Sequence, residues 1–109
     1  MDQIGKAAEM ATSWWAERLM SGDKIKFAEA LKPLIEADLR EQGECRLECD
    51  YDPRGHLLTA VRAAGLKCDG FMFSARGILP EKHDLHVTPT KLRPKEGYGN
   101  WKAEIRVAL

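Results

Sequence analysis

Apolar residues in the first part of the chain return every three or four positions, and after Gly43 they return every second one. Ile4, Ala8, Ala11, Trp15 and Leu19 keep the helical spacing, with Glu9, Glu17 and Arg18 elsewhere on the wheel. They predict an amphipathic helix over residues 1–20. Ser21-Gly22-Asp23 interrupts it, joining a helix stop to a fresh N-cap. A second helix is predicted over Lys24–Gln42, where Phe27, Leu31, Leu34, Ile35 and Leu39 make one stripe and Gly43 offers a left-handed stop. Pro33 lies inside it with no N–H for the carbonyl of Glu29. A kink is expected there, or a break with Pro33 opening a new first turn. The short connection makes the two helices an antiparallel hairpin.

Beyond Gly43, Cys45, Leu47, Cys49 and Tyr51 alternate with Arg46, Glu48 and Asp50, the pattern of a half-buried strand. Asp52-Pro53 reads as an N-cap followed by proline at the first helical position. Leu57, Leu58, Val61 and Ala64 then repeat at helical spacing up to Gly65, with Leu66 placed to close the cap. A third helix over residues 53–64 is one reading; half of a hairpin over His56–Ala63 is the other. Three strands are predicted next. The first is Gly70–Leu79; the second is His83–Leu92, with Leu85 and Val87 inward and Pro89 marking an edge strand. The third is Trp101–Leu109, with Trp101, Ala103, Ile105 and Val107 on one face. Arg93–Asn100 is read as the loop before it. The order ααβαβββ describes an α+β domain: two N-terminal helices, then a β-α-β-β-β unit with a mainly antiparallel sheet.

The 109 residues, 44% hydrophobic and 31% charged, suit one domain over residues 1–109, with residues 1–43 as the helical hairpin and 44–109 as the sheet unit. Seventeen acidic side chains balance seventeen basic ones, which argues against gripping nucleic acid through bulk charge. No apolar run is long enough to span a bilayer, so no membrane partner is expected. The first residues lack the basic and apolar regions of a secretory signal, and a cytoplasmic location is expected. Cys45, Cys49 and Cys68 are then read as reduced thiols rather than a disulfide framework.

Candidate chemistry is sparse. Cys45 and Cys49 share a strand face with Leu47 and Tyr51, which is where core thiols belong, and their spacing does not match a zinc motif. His83 and His86, three apart on a strand, face opposite ways and do not converge on one metal. Glu48, Asp50 and Asp52 make a carboxylate row able to hold magnesium, but Asp52 is already explained as a helix cap. Neither Gly-x-Ser-x-Gly nor Gly-Lys-Ser/Thr occurs. No catalytic residue, metal ligand or cofactor is assigned. Charge is more informative: residues 44–109 carry nine acids and eleven bases, and Lys91, Arg93 and Lys95 cluster beside Tyr98 and Trp101. Bases near aromatics on a sheet can hold phosphates and stack nucleobases. The competing reading is an edge strand guarded by lysines. Trp14 and Trp15 leave their helix about 100° apart, so Trp15 fits the buried stripe while Trp14, at its border, is either a half-exposed partner anchor or part of the core. The candidate partner-binding residues are Trp14, Lys91, Arg93, Lys95, Tyr98, Asn100 and Trp101.

Trp15-Ala16-Glu17-Arg18-Leu19, Cys49-Asp50-Tyr51-Asp52-Pro53-Arg54-Gly55 and Lys95-Glu96-Gly97-Tyr98-Gly99-Asn100-Trp101 resemble a family of small phage- and prophage-encoded proteins with no described activity. Gly70-Phe71-Met72-Phe73-Ser74-Ala75 and Ile78-Leu79-Pro80-Glu81-Lys82-His83 share the likeness, which runs from about residue 14 onward. It transfers no functional residue. What it implies is context: a non-enzymatic binding protein that modulates or inhibits host defence machinery, its partner a host protein or a small signalling molecule. The alternative is a binder of single-stranded nucleic acid or nucleotides through Lys91, Arg93, Lys95, Tyr98 and Trp101. A metal-dependent phosphoesterase around Asp50 and Asp52 ranks third.

Overall fold

The computed structural model describes residues 2–68 and 77–108. It has the expected α+β architecture, with three helices on one face of a four-stranded antiparallel sheet ordered β1-β2-β3-β4. Helix α1 spans Gln3–Arg18, capped by Asp2, whose carboxylate accepts from the Gly5 N–H at 2.7 Å. Helix α2 spans Lys24–Gln42, capped by Asp23 at its start and by Gly43 in the left-handed region at its end. Asp2, at the start of α1, pairs with Arg40 in the last turn of α2 at 3.2 Å, so the two helices run antiparallel. Pro33 does not break α2. Pro33 and Glu29 are both exposed, so water can satisfy the carbonyl that the proline leaves unpaired.

Strand β1 is Cys45–Cys49 and helix α3 is His56–Ala63. The helical reading of this stretch is correct, but its start is not where the Asp52 cap was expected. Gly55, at φ 54°, is the N-cap residue, and Pro53 bridges back to Cys49 instead of opening the helix. Asp52 is buried, three residues ahead of that N-cap position. The end of α3 follows expectation. The Gly65 N–H donates to Arg62 and the Leu66 N–H to Val61, the paired bonds of a left-handed helix stop.

The later strands depart from the sequence reading. The predicted Gly70–Leu79 strand lies largely outside the described residues; Gly77–Leu79 form a turn that buries Ile78 and Leu79. The predicted His83–Leu92 strand is divided into β2, His83–Val87, and the start of β3, Lys91–Lys95. Thr88-Pro89-Thr90 turns the chain between them. The Thr88 N–H donates to the Lys91 carbonyl at 2.9 Å, and its hydroxyl accepts from the Lys91 N–H at 3.2 Å. Pro89 therefore marks a turn, and β2 lies between β1 and β3 rather than at an edge. Arg93, Pro94 and Lys95, expected in a loop, belong to β3. Of the predicted Trp101–Leu109 strand, only Ile105–Arg106 pair as β4, with Trp101 forming an isolated bridge to Lys95. Ala103 and Ile105 are exposed and Val107 is buried, because this segment sits at the sheet edge, where alternation is not matched by cover.

One hydrophobic cluster joins the layers. Ala7, Ala8, Ala11 and Trp15 of α1 and Phe27, Leu31, Ile35 and Leu39 of α2 are buried, as are Leu57, Ala60 and Val61 of α3. The sheet supplies Cys45, Leu47 and Cys49, Leu85 and Val87, and Leu92. Cross-strand pairs Cys45–Val87, Leu47–Leu85 and Val87–Leu92 show that these residues share the inner face. Every intervening residue of β1–β3 therefore points away from the helices.

Candidate functional site

That outward set gathers charged and aromatic side chains from three strands. Pairing aligns Arg46 of β1 with His86 of β2 and Arg93 of β3 in one row. A second row aligns Glu48, Asp84 and Lys95. Trp101, half-buried and bridged to Lys95, lies across the face: the guanidinium carbons of Arg46 and Arg93 stand 5.7 and 5.6 Å from its ring centroid. Glu44, Arg46, His86, Arg93 and Trp101 line a pocket of about 250 Å³. Arg46 pairs with Asp84 at 3.3 Å, and His86 lies 3.5 Å from Glu44. Among the described residues Arg93 has no carboxylate partner, so its donors are available to an incoming anion.

A second pocket of about 340 Å³ lies on the adjoining row, lined by residues including Glu48, Asp50, Lys82, Asp84, Lys95 and Tyr98. Lys82 adopts φ 59°, uncommon for a residue with a side chain, and its ammonium pairs with the Asp50 carboxylate. It also stands 4.6 and 5.6 Å from the rings of Tyr51 and Tyr98, whose hydroxyls are 3.2 Å apart. The bond to Asp50 raises the pKa of Lys82, and the bond to Tyr51 raises that of Tyr98. Asp50 is held by Lys82 and approached by Arg54 at 3.9 Å, an arrangement that competes with a magnesium role.

The structure brings together some of the sequence candidates and separates others. Arg93, Lys95 and Trp101 share the outer face. Lys91 is at its far end, paired with Glu104 at 3.2 Å. Tyr98 is 72% exposed but belongs to the Lys82 pocket, and Asn100 is exposed in the turn before Trp101. Trp14 is not half-exposed: it is 8% exposed, covered by Arg18 at 3.6 Å and in edge contact with Trp15 at 4.9 Å. Its remaining edge joins Met10, Leu92 and Ile105 in a groove of about 350 Å³ beside α1. Arg46 and His86 were missed as site residues. Alternation alone puts them outward, but only strand pairing sets them beside Arg93.

All three thiols are buried, as the strand pattern predicted for Cys45 and Cys49. Burial, reinforced by Asp38, pushes the Cys45 pKa up to about 12; burial, reinforced by Asp52, pushes that of Cys49 up to about 12. His83 and His86 occupy opposite faces, opposite Cys49 and Arg46 respectively. No helix among the described residues is long and apolar enough to cross a membrane. Comparison with protein-family models, with curated proteins and with solved structures finds no match for this chain.

Proposed function

We propose that the protein is a binding protein whose outer sheet face takes a ligand combining a phosphate-type anion with a planar ring, a nucleotide or a short single strand. The observation that carries this reading is Trp101 flanked by Arg46 and Arg93 over a pocket that also contains His86. Arginine offers a planar fork matched to phosphate oxygens, and an aromatic face accepts a stacked base. Arg93, free of any carboxylate among the described residues, is the natural anion contact; Arg46 shares its charge with Asp84. Capture of a phosphate-bearing signalling molecule would suit a phage-encoded modulator of host defence; that wider role rests on the resemblance alone.

The test is calorimetric titration with nucleoside mono-, di- and triphosphates, cyclic dinucleotides and a short single-stranded oligonucleotide. Saturable binding by one of these is expected. Replacing Arg93 and Trp101 together by Ala should weaken it at least about tenfold, or 1.4 kcal/mol, with little change in the unfolding midpoint. Binding that survives the double replacement, or failure of every probe to bind, removes the reading.

A further inference from the structure

On the other side of the sheet, at the surface where α2, β1 and α3 meet, Asp38, Cys45 and His56 converge. One ligand atom of each lies within 4.8 Å of the other two. His56 Nε2 is 2.8 Å from Asp38 Oδ2, and Cys45 Sγ completes the triangle. We propose that these three side chains hold a zinc-class divalent ion, with solvent completing the tetrahedron.

The donor set selects the metal. A sulfur, an imidazole nitrogen and a carboxylate oxygen suit zinc, whereas magnesium and calcium take oxygen ligands. Zinc bonds of about 2.0–2.3 Å in a tetrahedron place ligand atoms roughly 3.3–3.6 Å apart. Coordination therefore needs His56 and Asp38 to part by about half an ångström and Cys45 to close by no more than about 1.5 Å, within the reach of side-chain rotation. Charge favours the ion as well. Among the described residues no lysine or arginine pairs with Asp38, and a thiolate with a carboxylate neutralises one divalent cation. The thiol gives its proton to solvent as the metal–sulfur bond forms. Access is open, since the Asp38 and His56 side chains are 26% and 31% exposed while Cys45 forms the buried floor. Three protein ligands with one solvent position match the open type of zinc site. This adds a role to Cys45, which the strand pattern alone marks as a core thiol.

The experiment uses the full chain without an affinity tag, stripped with a chelator and titrated with Co²⁺ as an optical stand-in for Zn²⁺. The expected result is one equivalent of bound Co²⁺, visible-region bands of tetrahedral strength, a thiolate-to-metal charge-transfer band, and displacement by Zn²⁺. Cys45→Ser should abolish the charge-transfer band. Because Cys45 is buried, His56→Gln provides the variant that keeps the fold, checked by circular dichroism, and should weaken binding at least about tenfold. His86→Gln, on the outer face, should leave it unchanged. Absence of saturable binding, binding without the thiolate band, or equal affinity in His56→Gln would each overturn the site.

Discussion

Gly22 joins α1 to α2, and replacing it with Ala tests how tightly that turn is docked on the end of α3. At φ +88° an added Cβ would lie 2.8 Å from Leu66 Cδ1, 2.9 Å from its Cγ and 3.3 Å from the Ala64 carbonyl. That carbonyl cannot retreat freely, because it accepts the Asp23 N–H at 3.2 Å. Gly43, at φ +77°, has nothing within 4 Å of the same position and isolates the backbone term. For an L-residue the left-handed conformation costs about 1–2 kcal/mol, offset by roughly 0.4–1 kcal/mol of lost unfolded-state freedom. Gly43→Ala should therefore destabilise by about 1 kcal/mol. Gly22→Ala adds an overpacking cost of about 1–3 kcal/mol and should lose roughly 2–4 in all. Urea unfolding followed by tryptophan fluorescence measures both, with the slope unchanged if only stability moves. Leu66→Ala in the Gly22→Ala background should recover most of the excess. Equal losses at the two glycines, or no recovery, would refute the docking argument.

Glu96 and Arg18 give a pH prediction. The Arg18 guanidinium holds the Glu96 carboxyl below its ordinary range, so the pair's contribution is fully present above the unfolded-state pKa and is lost as pH falls through the depressed folded value. Glu96 is more than one-third exposed, so Glu96→Gln should cost at most about 1 kcal/mol at pH 7; that difference should vanish in strong acid, and a difference that grows on acidification would contradict the sign. For the thiols, a pKa of about 12 leaves roughly one in ten thousand ionised at pH 8. Cys45 and Cys49 should resist maleimide labelling, followed by mass spectrometry, until denaturant unfolds the chain; rapid labelling of either in the native state would show that the strand is open.

What was legible in the sequence was local. The bounds of α2, the Asp23 cap, the Gly43 stop and the Gly65-Leu66 closure each depend on residues a few positions apart, and all appear as read. Facing was legible too: alternation alone puts Arg46 outward and Leu47 inward. Pairing was not. Thr88-Pro89-Thr90 lacks the Gly or Asn of a tight hairpin, so in sequence its proline looks like an edge marker and the two strands like one. Trp101–Leu109 shows the opposite error, since perfect alternation in an edge segment buries only Val107 among its described residues and leaves Ile105 on the groove beside α1. The Asp38–Cys45–His56 group draws on three elements and has no spacing that a motif could capture.

Strand pairing also bears on the two readings of the basic cluster, and it favours the one proposed. Lysines that guard a sheet edge act on a strand whose backbone groups face water. Strand β3 is paired to β2 along most of its length and meets β4 at Lys91–Leu92 and Trp101 at Lys95, so it has no long open ladder to protect. Arg93 and His86 project from interior strands, perpendicular to any edge. Edge protection does not account for their clustering, or for the two guanidiniums held near the Trp101 ring. The proposed anion-binding face would account for both: the row would supply charge where the ligand's phosphate sits, and Trp101 the flat surface beside it. The near-neutral net charge fits this as well, because attraction confined to two or three contacts predicts a shallow salt dependence rather than the steep one of a general nucleic-acid binder.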